Sequence, residues 1–430
     1  MRVEAFLCRH YRTAVIGVVA IALLARVLAA VLAANIDPAS AQVWEYGQIA
    51  ATSITHGSLT RDILRPDGAI WNFPTAFMPP AGIVLWLGIY KLLGVSRLAL
   101  GTMVAIEITC GAAIVYLCMR VARLLFGLAS IGVLAGLLAA LHPVFVYSVA
   151  TYHEINIYIL ELLLLYYSCS SAVADSPRQA LLIGLLFGVT VLTRTEYLML
   201  GGALLLGALL RHRRPRLTVI SLVAAAALIA PWTVRNYLVF GRFIPVADTV
   251  GLNLAKGFNP RANGSGGWED KHFVIDELYG PVTDTIALTP HYEIDVDDVY
   301  RAAAEQFMAQ YPQRAFVELP VRKLLLFWLF DIYDQITHSI VYQLSLWTVL
   351  LTSCLGMVVA YRAALFRTPD HRSILLLFAA QSIVMVSYAV HARYRMNVEP
   401  FLFAYSAAGL AWLGSRGHLS PGLHPEQQAS

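Results

Sequence analysis

The residue types able to do chemistry fall in four polar stretches, each bordered by long apolar runs. The first holds Asp37, Glu45, His56, Asp62 and Asp67. A carboxylate among them could take the proton from an incoming hydroxyl and act as a general base. The others are Tyr152-His153-Glu154, Arg194-Thr195-Glu196 and His391-Ala392-Arg393-Tyr394-Arg395. Arginine matches phosphate through a planar fork of N–H donors, so Arg194, Arg393 and Arg395 point to an anionic ligand. Each of these charges also reads as a solvated loop residue or a headgroup anchor, and both readings stay open here.

The elements that must position them are membrane helices. Of 430 residues, 58% are hydrophobic and 13% charged, whereas soluble domains are about 45–50% apolar and about 25% charged. The excess forms continuous blocks near 13–34, 98–118, 125–147, 155–173, 179–193, 196–211, 216–233, 339–361, 372–390 and 399–414. Blocks of this length cross a hydrocarbon core as helices, and they lack the alternation of a barrel strand. The first follows Arg2, Arg9 and Arg12 but is too long for a signal peptide. A net charge of +4, with the basic residues gathered in short loops, speaks to orientation and not to nucleic acid. The basic loops alternate properly only if 80–95 does not span, so this stretch is expected to lie along the outer interface. The expectation is an all-α polytopic bundle of about ten spans with both termini cytoplasmic and two long polar segments, 35–79 and 235–322, outside.

Within those segments, Gln42 to His56 and Val296 to Tyr311 have helical patterns, and Arg322 to Phe330 reads as an interfacial helix. Asp295-Val296-Asp297-Asp298 resembles an acidic metal motif but is expected to cap its own helix. Asn263-Gly264-Ser265 is a weak glycosylation sequon. The five cysteines show no metal-ligand spacing. Arg26, Glu107 and Glu161 lie inside apolar blocks, where an interhelical ion pair or a functional site would explain them. A transporter built on these three would be expected to show inverted repeats, and the sequence shows none.

In order along residues 13 to 414, these fragments resemble the GT-C superfamily of membrane glycosyltransferases, in particular the protein-mannosyltransferase and aminoarabinose-transferase type of glycosyltransferase family 39. The segments that carry the resemblance are Trp44 to Ala50, Pro74 to Pro80, Leu192-Thr193-Arg194, Pro231 to Tyr237 with Phe240 to Val246, Tyr311-Pro312 to Leu324, and Arg393 to Pro400. The resemblance implies transfer of a sugar from a polyprenyl-phosphate donor to a protein, lipid or glycan acceptor on the extracytoplasmic face, usually with inversion. It implies a carboxylate base at the start of the first outer segment and basic residues on the departing phosphate. On it, Glu45 is the first candidate for base, with Asp37 second. Arg194, Arg393 and Arg395 are candidates for the donor phosphate, and Gln42, His153 and Glu154 for the sugar or acceptor. No metal ligand is assigned, and a divalent cation is not required by the sequence.

The chain departs from the pattern at Gln42, where family members carry Asp. A neutral amide cannot serve as a base. If both residues share one helix, Glu45 sits about 5 Å further along at about 1.5 Å rise per residue. Three outcomes stay open: Glu45 takes the role, Asp37 takes it, or the protein is an inactive homologue that binds polyprenyl-phosphate lipid or assists a partner. The expected organisation is a transmembrane half, 1–234, whose outer loop 35–97 carries the site. An extracytoplasmic segment, 235–338, then C-terminal helices, 339–414, and a cytoplasmic tail, 415–430, follow. The resemblance places such a protein in a bacterial plasma membrane, among its lipids.

Overall fold

The computed structural model describes residues 2–64, 70–171, 176–266, 278 and 280–415. Asp67 and residues 416–430 of the expected tail lie outside them. The chain is a multi-pass membrane protein, mostly helical with almost no sheet. Its helices are α1 (Arg2–Arg9), α2 (Tyr11–Ala33), α3 (Glu45–His56), α4 (Pro80–Leu93), α5 (Arg97–Phe126), α6 (Ala129–Leu141), α7 (Pro143–Tyr147), α8 (Ile155–Ser171), α9 (Pro177–Thr193), α10 (Tyr197–His212), α11 (Pro215–Phe240), α12 (Val250–Gly257), α13 (Tyr292–Gln310), α14 (Leu319–Trp328), α15 (Ile340–Arg362), α16 (Pro369–Ser387) and α17 (Glu399–Gly414).

Four of these, α2, α5, α11 and α15, are long and apolar enough to cross a membrane, and the bent pair around α6 and α7 would make a fifth. α8, α9, α10 and α17 have only 16 or 17 residues. At about 1.5 Å per residue that is about 24–26 Å, short of the roughly 30 Å hydrocarbon core. The expected ten is therefore a count of apolar blocks and not of full-length spans. α4 has 14 residues, about 21 Å, and packs its buried Ile83, Trp86 and Tyr90 inward while Val84 and Leu92 stay exposed.

α6 and α7 meet at 56°. Pro143 has no N–H to give the Ala139 carbonyl, and it holds His142 in extended backbone. Arg26 repairs the break: its guanidinium donates to the carbonyls of Ala139, Ala140 and Ala22 at 3.2–3.3 Å. Among the described residues, no ion pair joins Arg26, Glu107 and Glu161 to one another. Glu107 accepts from the Asn156 backbone and side chain, and Glu161 accepts from Thr193. Each of the three thus bonds its own set of neighbours, and among the described residues none bonds another of the three. α15 and α17 meet backbone to backbone, since a Cβ on Gly356 would fall 1.8 Å from the Tyr405 carbonyl oxygen.

The outer segments differ from expectation in four places. Residues 60–74 carry a two-stranded antiparallel hairpin, β1 (Thr60–Leu64) and β2 (Ile70–Pro74), in register Thr60↔Pro74. α3 begins at Glu45, so Gln42 precedes the helix, in a tight turn closed by Val43 N donating to the Ala41 carbonyl at 3.0 Å, and is not one helical turn away. α11 runs through Pro231 to Phe240, past the expected boundary at 235. α13 begins at Tyr292, so the acidic motif is already inside the helix. Asp297 caps another helix altogether: its carboxylate accepts from Gly251 N and Leu252 N at the start of α12.

Candidate functional site

Two neighbouring elements, α11 and α13, frame the site. Trp232, Thr233 and Asn236 on α11 donate to the carbonyls of Val246, Pro245 and Ile244. This explains why Pro231–Tyr237 and Phe240–Val246 carry one motif: the first segment's side chains satisfy the second segment's backbone. Arg235 donates to the Thr75 carbonyl, and Glu293 on α13 accepts from Thr75 Oγ1 and Ala76 N at 2.7 Å each. The 75–79 loop is thereby fixed beside α12.

The Tyr152-His153-Glu154 turn is strained. Tyr152 and Glu154 have φ of 53° and 52°, a region that costs about 1–3 kcal/mol for residues with a side chain. Tyr152 is held by donating to the Asn35 carbonyl at 2.8 Å. Glu154 accepts from the Trp86 indole, and burial pushes its carboxyl well above the usual range. His153 stacks on Trp44 with ring centroids 4.2 Å apart. Burial, then Arg393, Arg194 and His391, push His153 far below its ordinary value, so it is neutral.

Arg393 Nη1 approaches His153 Nε2 at 3.2 Å, and its Nε has no partner. Its turn is held by Asp334, which accepts from Ala392 N, and by the bridge between Ser265 and Val390. Arg194 lies over the Tyr158 ring at 4.8 Å and binds Glu196. Burial opposes its charge, but Glu196 and the surrounding tyrosines hold it above its ordinary value.

Two cavities, of about 340 and about 160 Å³, open beside this assembly. Both are lined by Trp44, Glu45, His153, Lys256, Arg393 and Tyr394. Glu154 and Arg194 line the smaller one only. Asp37, Gln42 and Arg395 line neither. Asp37 accepts from Ser40 Oγ in a local turn and pairs with exposed Arg97. Gln42 is exposed. Arg395 is buried in the core, donating to Glu399, Tyr342 Oη and the Phe327 carbonyl. Of the remaining candidates, Asp62 receives Asn72 across the hairpin and faces His56 at 3.6 Å. Sequence reasoning missed Lys256 and Asn253, because α12 falls in a segment read as loop. The signal there is the apolar spacing of Leu252 and Ala255 after Thr249. Among the described residues, no three or more His, Cys, Asp or Glu side chains are placed to hold a metal ion.

A polytopic helical bundle thus brings an outer helix, a mouth turn and a basic turn to one pair of cavities. The family model described as dolichyl-phosphate-mannose-protein mannosyltransferase matches residues 78–234. No curated protein matches the chain. Among solved structures, the chain is similar to the oligosaccharyltransferase of Archaeoglobus fulgidus in its apo form, with 13% identity and a TM-score of 0.55, over 94% of this chain and 51% of that one. It is similar to the same protein, AglB, in complex with an inhibitory peptide and a dolichol-phosphate, at 13% identity and a TM-score of 0.53, over 95% of this chain and 51% of that one. ArnT from Cupriavidus metallidurans bound to undecaprenyl phosphate aligns at 16% identity with a TM-score of 0.40, over 93% of this chain and 78% of that one. The chain thus spans about half the length of the oligosaccharyltransferase whose fold it shares.

Proposed function

We propose that the chain is a glycosyltransferase that moves a sugar from a polyprenyl-phosphate donor to an acceptor hydroxyl at the outer face of a bacterial plasma membrane, with its N-terminus cytoplasmic. The observation that carries this reading is Glu45. It lines both cavities, and no described side chain bonds its carboxylate, while Arg393 lines the same two cavities without a carboxylate partner. A free base and an uncompensated cation beside one space fit a reaction that removes a proton and releases a phosphate. Glu45 takes the acceptor proton as the acceptor oxygen bonds the anomeric carbon. The bond from that carbon to the phosphate oxygen breaks, and polyprenyl phosphate leaves against Arg393. Attack and departure on opposite faces invert the anomeric carbon.

A second reading, an inactive homologue that binds the lipid, is favoured by Gln42. Protein in nanodiscs, given a panel of polyprenyl-phosphate sugars, separates them by release of polyprenyl phosphate. Release by the wild type, lost in Glu45→Gln and kept in Asp37→Asn, is the expected result. No release by the wild type, with release restored by Gln42→Asp, assigns the chain to the second reading.

A further inference from the structure

Lys323, in the middle of α14, is 0% exposed, and among the described residues no carboxylate pairs with it. Its Nζ donates to the Val386 carbonyl at 3.0 Å and lies 3.7 Å from the centroid of the Phe258 ring. Burying an ammonium without a counter-ion is costly, and an apolar side chain of similar volume is often as stable or more so. Filling space does not explain a lysine here.

Its two contacts join two walls of the cavities. Val386 lies in the last turn of α16, and the residue four further on, Val390, gives its N–H to the Gly264 carbonyl at 3.0 Å. The Val386 carbonyl is thus left without its helical donor. The Lys323 ammonium supplies one, at the helix end where the dipole favours a cation. Two residues past Val386, Tyr388 lines both cavities. Phe258 follows Gly257, the last residue of α12, and that helix carries Asn253 and Lys256, which also line both cavities. The joint is close: a Cβ on Gly257 would fall 2.9 Å from Lys323 Nζ and 3.0 Å from the Tyr388 carbonyl carbon.

We infer that Lys323 is a positioning residue: its ammonium ties the end of α12 to the end of α16 and so sets Lys256 and Tyr388 against the cavities that an anionic lipid head would enter. The identity of that head as a polyprenyl phosphate rests on the transferase reading above. The tie needs the charge, and pH can remove it. Burial pushes Lys323 down to about 7. The charged and titratable groups on the segments around it are Lys256 on α12, Arg261 after it, Tyr388 after α16, and Glu318 and Arg322, which pair with each other on the exposed side of α14. Below about pH 7 the ammonium is present and the tie is closed. Above it, the neutral amine loses both the dipole and the ring contact.

The test follows binding of undecaprenyl phosphate, and turnover of a panel of undecaprenyl-phosphate sugars, by full-length protein in nanodiscs from about pH 6 to about pH 8.5. Lys323→Met removes the charge at similar length. Lys323→Arg keeps it at every pH. Gly257→Ala wedges the joint with the charge in place. The wild type is expected to bind about tenfold more weakly at the upper end of the range, with donor KM raised alike, a loss within what small displacements in a site cause. Lys323→Met should stay at the weak end throughout and Lys323→Arg at the tight end. Gly257→Ala should be weak even at about pH 6, and kcat should stay within about twofold in all three. The lipid phosphate also titrates, near about pH 6, but its share is common to every variant and drops out of the comparison. A Lys323→Met profile that follows the wild type overturns the inference. So does a fall in kcat and binding capacity at unchanged KM and Kd, which marks only a smaller folded fraction. If Lys323→Met does not fold, a Lys323→Arg profile with the wild-type slope, or tight binding by Gly257→Ala, overturns it instead. The expected affinity profiles without turnover by any form keep the role of Lys323 and remove the transferase reading, and turnover with flat, equal profiles does the reverse.

Discussion

The Trp86 indole donates a 2.5 Å hydrogen bond to Glu154 Oε1, and both side chains are buried. The other oxygen, Oε2, has no partner among the described residues. A carboxyl so placed is cheaper to keep protonated than ionised: burial raises it most, the charges of Glu107 and Glu45 raise it further, and the Trp86 hydrogen bond and Arg194 oppose. Its folded pKa is raised, so the stability it contributes is full below the ordinary value of 4.5 and falls as pH rises toward the folded value. Glu154→Gln keeps the acceptor for Trp86 and carries no charge. Its melting temperature is expected to exceed that of the wild type by a margin that widens from about pH 5 to about pH 8. Trp86→Phe strips Glu154 of its one hydrogen bond and is expected to cost about 1–3 kcal/mol.

Asp248 gives a second, independent pH signature. Its backbone N–H donates to the Ala76 carbonyl at 2.8 Å, and its Oδ2 has no partner. Burial, then Asp297, Glu293 and Asp298, push it up to about 8, with Arg301 opposing. The sign matches that of Glu154: stability is fullest below the ordinary 3.8 and is lost as pH rises through about 8. Asp248→Asn is expected to raise the melting temperature more at about pH 9 than at about pH 5. A gain that does not vary with pH would falsify the account.

The cap on α12 predicts a functional loss at a distance. Asp297 accepts from two N–H groups that no carbonyl of their own helix satisfies. Asp297→Ala is expected to cost about 0.5–2 kcal/mol of local stability and to loosen Lys256, which lines both cavities from the end of the same helix. Donor KM should rise. Asp297→Asn keeps one acceptor and should recover part of the loss, whereas a cap irrelevant to the cavities would leave KM untouched in both variants.

The mouth turns were legible in the sequence because polar residues between apolar blocks are costly unless they have a task. His153, Glu154, Arg194 and Arg393 lie in such turns, and orientation put those turns on the same side as Glu45 at the start of α3. What brings them to one pair of cavities is three-dimensional: the stack of Trp44 on His153, the reach of Arg393 and the cap on α12. Arg26 shows the limit from the other direction. Two of its three carbonyl partners, Ala139 and Ala140, lie at the break before Pro143, more than a hundred residues away, and no spacing along α2 announces them. The hairpin escaped because the outer segment was read for helical periodicity. Pro66-Asp67-Gly68, between Thr60–Leu64 and the Ile70-Trp71 run, was the turn signal that could have found it.

Arg393 and Arg395 are two residues apart and are expected to fail in opposite ways. Arg393 lines both cavities, with its Nη1 on a neutral His153 and its Nε unbonded. Removing it leaves no acid stranded in the protein, so Arg393→Ala should keep the melting temperature near that of the wild type. It should weaken binding of undecaprenyl phosphate by about tenfold or more, the worth of one charge-assisted contact. Arg395 is 3% exposed and is the ion partner of Glu399, which is 4% exposed. Arg395→Ala strands a buried carboxylate, a change that typically costs about 3–5 kcal/mol, and it releases Tyr342 from the wall of the larger cavity. Melting temperature and lipid affinity, measured on both variants in the same nanodiscs, separate the roles. If Arg395→Ala left the fold intact and lost lipid affinity as Arg393→Ala does, Arg395 would belong with the phosphate ligands after all, and the wall it pins would need another support.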